Sequence, residues 1–489
     1  MTDAVVVGAG PNGLAAAVTL ARSGVRVTVL EAGAEIGGGT RSSELTLPGL
    51  LHDHCSAVHP SGVGSPFFRS LALEEHGLEW AWPDVDLAHP LDSGEAAVLW
   101  RSLSRTAGGL GLDGPAWQRL FGPLAGYFDT LVPEVMAPVP HLPRHPIRYA
   151  RFGLPAALPA TVLARRWRTD KARALFAGAA AHLFTRLDRP LSSSVGMFHL
   201  VAGHSVGWPV ARGGSRSVTD ALAGLLGSLG GTVETGVRVT SLAQLPPHDV
   251  LLLDLAPGAA ADLLGDQLPS RVRRAYRRWQ HGPAVFTVHL AVEGGVPWTA
   301  EHCRSAGTVH LGGTLEEIRH SEEQIARGAM PERPFVLLAQ QYLADPGRSH
   351  GDLHPVDAYA HVPHGYDGDA TEAVLRQIER FAPGVRDRVV AVSAGSTAEL
   401  ARGNPNFVGG DILTGANSPL QVVLRPRLAP DPYRTGVPGV FLCSAATPPG
   451  AGVHGMCGHQ AARSALRHLG AGVGAGAGAD VGVDAGGAP

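Results

Sequence analysis

The sequence that decides the fold is AVVV at residues 4–7, followed by GAGPNG at residues 8–13. Residues 11–23 (PNGLAAAVTLARS) are typical of a helix that has proline in its first turn and ends at Gly24. Residues 25–30 (VRVTVL) then predict a second strand. A buried strand, a glycine-rich turn, a helix and a strand together predict a βαβ unit, the beginning of a parallel sheet.

The glycines of the turn have the spacing of a dinucleotide-binding loop. Gly8 allows the tight turn, Gly10 lets the backbone approach a pyrophosphate, and Gly13 lets the helix and strand pack closely. Pro11 and Asn12 stand at the helix N-terminus, where free N–H groups attract the pyrophosphate. The loop therefore predicts a dinucleotide site at the start of the chain.

An acidic residue and a second glycine-rich turn follow the second strand. Glu31, eighteen positions after the last loop glycine, is placed to accept hydrogen bonds from ribose hydroxyls. The run E-A-x4-G-G-x-x-R that begins at Glu31 resembles the phytoene desaturase and amine oxidase superfamily of flavoproteins. The resemblance implies that the cofactor is FAD and that Ala32 lies beside it. It also implies that Gly38, Gly39 and Arg41 hold the pyrophosphate from the side opposite the first loop.

Two later segments extend the resemblance. Residues 212–215 (RGGS), a helix, and a predicted strand over residues 232–239 (TVETGVRV) resemble the family's second FAD segment, which implies that Val237 contacts the adenine. Residues 437–466 resemble the C-terminal signature of phytoene desaturases, which lies under the isoalloxazine. A helix N-terminus there would stabilise negative charge on the reduced flavin. The contacts implied in this segment are Ala445, Gly452, Val453 and His454.

The closer resemblance is to the phytoene dehydrogenase-like branch, which includes pyridine nucleotide-disulphide oxidoreductase domain-containing proteins. It implies an α/β fold, in which a Rossmann-like FAD-binding domain of the glutathione reductase and amine oxidase type carries an inserted α+β substrate domain. The FAD-binding domain is expected over residues 1–75, 205–270 and 395–468, and the substrate domain over residues 76–204 and 271–394. Residues 470–489 form a low-complexity tail that is expected to be disordered.

Composition excludes several other classes of protein. A net charge of -3 and a pI of about 6.8 indicate no nucleic-acid partner. The four cysteines form no C-x-x-C pair, so we expect no redox disulfide and a reduced, cytoplasmic protein. The chain enters a strand at once and has no apolar run of about 18 residues, so neither a signal peptide nor a membrane span is expected. An arginine-rich, partly apolar stretch over residues 144–168 predicts either peripheral membrane contact or a solvated face.

A cluster of potential metal ligands occurs after the second glycine-rich turn. His52, His54, Cys55 and His59 have suitable side chains, but we expect no metal here. The favoured interpretation is a segment packed near the flavin, because the family places an aspartate, here Asp53, close to the cofactor.

These features predict an FAD-dependent oxidoreductase, a dehydrogenase or desaturase that takes hydride from a largely apolar isoprenoid, lipid or polyketide-like substrate. No separate NAD(P)H domain is evident in the sequence, so oxygen or a quinone is the expected electron acceptor. His454 stands where the family commonly has proline, and it is the candidate catalytic residue because an imidazole transfers protons near neutral pH. A packing role for His454 is the alternative.

Three other functions stay open. The first is a redox-neutral isomerisation that uses reduced FAD. The second is amine oxidation, which in related flavoenzymes often uses a lysine near the flavin; the only lysine of this chain is Lys171, which lies in a predicted helix of the other lobe. The third is non-enzymatic binding of a prenylated partner, as in GDP-dissociation-inhibitor proteins.

Overall fold

The computed structural model describes residues 2–139 and 141–470. The predicted low-complexity tail lies outside the described residues from residue 471 onward. The strands, numbered in chain order, are β1 (Asp3–Val7), β2 (Arg26–Leu30), β3 (Ser42–Glu44), β4 (Leu51–Asp53), β5 (Trp80–Ala81), β6 (Val85–Pro90), β7 (Ala96–Leu99), β8 (Val210–Ala211), β9 (Thr232–Glu234), β10 (Val250–Leu253), β11 (Ala284–Glu293), β12 (Ala306–Leu311), β13 (Val336–Ala339), β14 (Leu353–Val362), β15 (Val389–Gly395) and β16 (Val440–Leu442).

The α-helices are numbered in the same way. They are α1 (Pro11–Ala21), α2 (Pro60–Val63), α3 (Leu103–Gly109), α4 (Gly114–Gly126), α5 (Phe128–Val135), α6 (Pro146–Ala157), α7 (Ala160–Leu163), α8 (Asp170–Ala181), α9 (Ser194–Ser205), α10 (Arg216–Ser228), α11 (Pro257–Leu264), α12 (Ser270–Arg277), α13 (Leu315–Ala326), α14 (Thr371–Phe381), α15 (Thr397–Gly403), α16 (Pro419–Val423) and α17 (Met456–His468).

The first sheet is the Rossmann-like sheet that the N-terminal sequence predicts. Its strands run in the order β16-β10-β1-β2-β9, and every neighbouring pair is parallel. Helices α1, α10 and α17 contribute apolar side chains to one face, and α11 and α12 cover the other. Burial on both faces explains why β1 and β10 are apolar without alternation. The expected α/β fold is confirmed.

The predicted strand over residues 232–239 is too long. Only Thr232–Glu234 pairs with β2, and the chain then leaves the sheet. The amide of Gly236 donates to the carbonyl of Gly33 (2.7 Å) and that of Val237 to the carbonyl of Glu31 (2.8 Å), so these two amides bind the turn after β2 instead of continuing the ladder.

The second sheet is mixed and lies in the intervening segments. Its strands run in the order β15-β11-β14-β13-β12-β6-β7. Helix α14 packs its apolar face against this sheet, and α13 begins at a capping box formed by Thr314 and Glu317. Its strands come from residues that the sequence assigns to the substrate domain, although β15 ends at Gly395, one residue beyond the expected bound. The exact domain bounds stay a prediction. Within the described residues, no helix is long and apolar enough to span a bilayer.

Candidate functional site

A cavity of about 770 Å³ opens at the carboxyl ends of β1, β2 and β10. In open α/β sheets, ligands bind at this edge. The residues predicted to contact the cofactor line the cavity, with the exception of Gly13; these lining residues are Gly8, Gly10, Pro11, Asn12, Glu31, Ala32, Gly38, Gly39, Arg41, Val237, Ala445, Gly452, Val453 and His454. Their roles toward FAD stay predictions, but the fold brings them to one space.

Gly13 lies beneath the first loop, so it does not line the cavity. A Cβ atom at Gly13 would overlap the carbonyl oxygen of Gly8, so only glycine lets α1 start this close to β1. Helix α1 has no side-chain cap, and its first turn opens beside the cavity. Its free N–H groups can therefore receive an anion.

Glu31 ties the two glycine-rich turns together. Its carboxylate accepts the amides of Ala9 and Gly33, each at 2.7 Å. A carboxylate has about four acceptor positions, so two remain for the hydroxyls of a ribose. The backbone of Val237, bonded to the carbonyl of Glu31, lies next to the same end of the cavity.

Arg41 is a cation without a carboxylate partner in the described part of the chain. Its Nη2 donates to the carbonyl of Gly403 (2.9 Å) and its Nε to the carbonyl of Gly38 (3.2 Å). The amide of Gly37 donates to the carbonyl of Ala9 (3.0 Å), which holds this turn against the first loop. An unneutralised guanidinium facing a glycine loop and a helix N-terminus fits the pyrophosphate of a dinucleotide.

The C-terminal segment reaches the cavity because α17 packs unusually closely on α1. A Cβ atom at Gly458 would overlap the carbonyl oxygen of Asn12, so the two helices approach at this glycine. The loop over residues 450–454 is thereby held beside the first glycine loop. We call residues 8–13, 38–41 and 450–454 the glycine wall of the cavity.

His454 is buried within the glycine wall and is bonded to its own loop. Its Nδ1 accepts the amide of Met456 at 3.0 Å. Burial lowers the pKa of His454 to about 4, against hydrogen bonds to the carbonyls of Gly450 and Ala451 that act in the opposite direction. A neutral imidazole whose Nδ1 is an acceptor carries its proton on Nε2, so His454 is arranged to donate a hydrogen bond. Its catalytic role stays a prediction.

Two residues that lie beside the glycine wall were missed by sequence analysis. Asp254 follows β10, and its Oδ2 accepts the amide of Gly13 at 2.9 Å directly beneath the first loop. Burial raises the pKa of Asp254 to about 7, with a smaller contribution from the charge of Glu31. Its position at the carboxyl end of a buried strand could have indicated a site residue from the sequence alone.

Arg425 is the second missed residue. It is buried, donates to Asn417 Oδ1 (2.8 Å) and the carbonyl of Ala445 (3.3 Å), and forms no ion pair within residues 2–139 and 141–470. Burial lowers its pKa. It adds positive charge behind the C-terminal loop, and no local sequence pattern indicated it.

Another part of the cavity lining is built from side chains of the second sheet. Thr287 and His289 project from β11, and Asp357 and Tyr359 project from β14. We call these four residues the histidine wall. His289 and Asp357 are direct cross-strand partners, with 2.8 Å between Nδ1 and Oδ1.

The segment that contains the potential metal ligands His54 and Cys55 also lines the cavity. Residues 51–53 form β4, and Asp53, Cys55 and Ser56 line the cavity. Asp53 is completely enclosed, and its Oδ2 lies 2.6 Å from Nη1 of the buried Arg348. Ligand atoms of His52, His289 and Asp357 lie within 4.8 Å of one another. Both histidine Nδ1 atoms lie at hydrogen-bond distance from the same Asp357 oxygen, so these atoms form one hydrogen-bond network.

Lys171 lies away from this cavity. Its ammonium pairs with the exposed Glu95 at 2.7 Å, and it does not contribute to the lining. A lysine acting next to the flavin is therefore not available from this residue in the described structure.

Comparisons with known proteins agree with the fold. Residues 6–72 match the family model described as an NAD(P)-binding Rossmann-like domain. The chain is 25% identical to pyridine nucleotide-disulfide oxidoreductase domain-containing protein 2 of Mus musculus, over 96% of this chain and 94% of that protein. An oxidoreductase from Methanosarcina mazei has a TM-score of 0.62 at 16% identity, over 95% of this chain and 100% of the other. Cyclohexylamine oxidase from Brevibacterium oxydans has a TM-score of 0.58 at 16% identity, over 96% and 99%.

These likenesses bear out the expectation of an oxidoreductase enzyme with a Rossmann-like dinucleotide site. They do not single out the phytoene dehydrogenase-like branch. The match over residues 6–72, the similarity along nearly the whole chain and the common fold all relate this chain to oxidoreductases with a Rossmann-like domain.

Proposed function

We propose that this protein is an FAD-dependent dehydrogenase or desaturase, which takes hydride from a largely apolar substrate and introduces a double bond. Bound FAD would supply the two-electron chemistry. The chain would bind the dinucleotide through the glycine wall, exclude water, and hold the substrate against the histidine wall. Oxygen or a quinone would reoxidise the flavin.

The continuity of the cavity carries this proposal. The space that begins at the dinucleotide loop is bounded further along by apolar side chains of the other lobe. Such lining favours an isoprenoid, lipid or polyketide-like substrate, because an apolar ligand gains about 25 cal/mol for each Å² that it buries. The apolar residues concerned are Val139, Phe152, Phe184, Phe198 and Leu337.

The cofactor test uses the purified protein. Denaturation should release FAD, and neither FMN nor NAD, on chromatography. Arg41→Met should lose most of its flavin because the pyrophosphate loses its cation, whereas Arg402→Met is a matched control on the neighbouring exposed surface. Protein that contains no FAD, even after reconstitution, would contradict the proposal and favour a non-enzymatic binder.

The reaction test uses anaerobic protein mixed with host lipid and isoprenoid extracts. A dehydrogenase should bleach the flavin and yield a product two hydrogens lighter than its substrate. A product of unchanged mass, formed only with pre-reduced flavin, would indicate the isomerase. Bleaching by primary amines alone would indicate the amine oxidase.

We also propose that α6 rests on an anionic membrane surface. Leu142, Ile147 and Leu154 are exposed to 96%, 84% and 71%. Arginines stand between them, at Arg144, Arg148 and Arg151. Phe152 on the inner side of the same helix lines the cavity, which would let an apolar substrate pass from lipid into the protein.

Vesicle sedimentation tests this contact. The protein should sediment with vesicles of phosphatidylcholine and phosphatidylglycerol, and less with phosphatidylcholine alone. The double variant Ile147→Ser, Leu154→Ser should lose this binding, whereas Leu428→Ser, at another exposed leucine, should keep it. Equal sedimentation of all three proteins would contradict membrane contact through α6.

A further inference from the structure

The carboxylate of Asp357 organises the histidine wall. Its Oδ1 lies 2.6 Å from Nδ1 of His52 and 2.8 Å from Nδ1 of His289. Its Oδ2 accepts the amide of Asp53 (2.9 Å) and Nε2 of Gln341 (2.6 Å). Burial alone would raise the pKa of Asp357, but electrostatic attraction to His52 and the hydrogen bonds with His289 and His52 hold it well below its usual range. Asp357 is therefore an ionised acceptor with every lone pair in use.

An acceptor of this kind fixes the tautomer of both histidines. An ionised carboxylate has no proton to give, so each Nδ1 must carry a hydrogen and donate it. In the neutral imidazole, Nε2 then keeps the lone pair. For His52 this lone pair is used, because Nε2 lies 2.7 Å from Thr46 Oγ1, a hydroxyl that can donate to it.

For His289 the lone pair is free. Its Nε2 has no hydrogen-bond partner among the described residues and is not sealed from the cavity that the ring lines. An imidazole with Nδ1 on a carboxylate and an unpartnered Nε2 facing a ligand cavity has the arrangement of a general base.

The other histidines and the cysteine that line this cavity are less suited to accept a proton. Burial lowers the pKa of His54 and His199 to about 4 and that of His182 well below its usual range. Burial also raises the pKa of Cys55 to about 12, so it stays a thiol. None of the lining histidines except His289 contacts a carboxylate within the described chain.

We propose that His289, oriented by Asp357, is the catalytic base of the reaction. The inference rests on the proposed function and names the acceptor of the proton. As a hydride leaves one substrate carbon for the flavin with two electrons, a proton leaves the neighbouring carbon for Nε2 of His289. The electron pair of that second C–H bond becomes the π bond of the product. The imidazolium is stabilised by Asp357, and its proton returns to solvent when oxygen or a quinone reoxidises the flavin.

The test compares His289→Gln with His354→Gln. His354 also lies on the second sheet, near the carboxylate of Asp352, but outside the cavity lining. His289→Gln should keep its FAD spectrum while anaerobic flavin reduction by the lipid and isoprenoid extract slows by about 10²-fold or more, the usual scale for general-base catalysis. His354→Gln should react like the parent protein. Reduction of His289→Gln at the parent rate would overturn the proposal, whereas absence of FAD from the parent would overturn the proposed function instead.

A second measurement needs no substrate. Long-range ¹⁵N–¹H spectra of histidine-labelled parent protein should contain one ring signal with Nδ1 protonated that disappears in His289→Gln. A ring protonated on Nε2 would overturn the proposal even if the variant were poorly folded.

Asp357→Asn should change the tautomer of His289 and the pH profile of flavin reduction without releasing FAD. The titratable and charged groups that face His289 are Asp357 and Tyr359 of β14, His52, Asp53, His54 and Cys55 of the β4 segment, Arg41, and Glu399 of α15.

Discussion

The glycine wall and the histidine wall face the same cavity but are made in different ways. The glycine wall presents mainly backbone amides, and its contacts depend on the lack of a side chain at positions such as Gly13 and Gly458. The histidine wall presents side chains that are held by a buried carboxylate. Cofactor binding and turnover can therefore be disturbed separately, the first at the glycine wall and the second at the histidine wall.

The largest effect is expected from Arg348→Met, which breaks the support of the histidine wall. Arg348 is fully buried and pairs with Asp53 at 2.6 Å and with Asp345 at 3.2 Å. Asp53 in turn donates its amide to Asp357. Removing the cation leaves two buried carboxylates without it, which costs about 3–5 kcal/mol.

Urea unfolding measures this loss. The exposed ion pair of Arg277 with Asp262 supplies the control, because Arg277→Met should leave the midpoint nearly unchanged. Equal midpoints for the two variants would mean that Arg348 does not stabilise the histidine wall.

The second largest effect is expected at the glycine wall. Gly13→Ala places a methyl group on the carbonyl oxygen of Gly8, and the first loop must move. Overpacking costs about 1–3 kcal/mol, so FAD affinity should fall by roughly 10-fold to 100-fold while the histidine wall stays intact. Titration with FAD measures the change. Gly258→Ala, also in the first turn of a helix but with open space around it, should bind FAD normally.

These two variants also separate what sequence could predict from what it could not. The first loop of the glycine wall is encoded locally: the turn, the helix and the neighbouring Glu31 fall within the first 31 residues, and each has a spacing set by the geometry of the loop. The same applies to the capping box at Thr314, which is formed by residues three positions apart. Local spacing is visible in one sequence.

The histidine wall depends on contacts between distant positions. His52 and Asp357 are 305 positions apart, and Arg348 and Asp53 are 295 apart. No periodicity in the sequence links residues this far apart. The residue types near His52 therefore suggested a metal site or a loop near the flavin, but they did not identify Asp357 or Arg348 as partners. The strand expected over residues 232–239 failed for a related reason, since long-range bonds to Glu31 and Gly33 replaced its ladder.

A third prediction compares one histidine from each wall. His454→Gln removes an imidazole that is not free to act as a base, because Nδ1 of His454 already accepts the amide of Met456. Flavin reduction should therefore slow by less than about tenfold, against about 10²-fold for His289→Gln. Stopped-flow measurement of flavin reduction between pH 6 and 9 compares the two variants. A larger loss in His454→Gln would assign the proton transfer to the glycine wall.

The smallest effect is expected from Asp254→Asn, and it concerns pH. In the folded protein the pKa of Asp254 is raised to about 7, mainly by burial, whereas an unfolded aspartate has a pKa of about 3.9. Between about pH 4 and pH 7, the folded state therefore binds a proton on Asp254 that the unfolded state has already released. The contribution of Asp254 to stability is fully present below about pH 4 and is lost as the pH rises toward 7.

The pyrophosphate of FAD would lie on the loop whose Gly13 amide binds Asp254, so the ionised carboxylate should repel it. FAD affinity of the parent protein should fall by roughly threefold to tenfold between pH 6 and pH 8.5. Asp254→Asn has the same shape without the charge, and its affinity should stay nearly constant over this range. Asp352→Asn, at a carboxylate that is 78% exposed, should follow the parent curve. A pH dependence that survives in Asp254→Asn would have to come from another group of the glycine wall, and Glu31, whose carboxylate also contacts the loop, would be the next to replace.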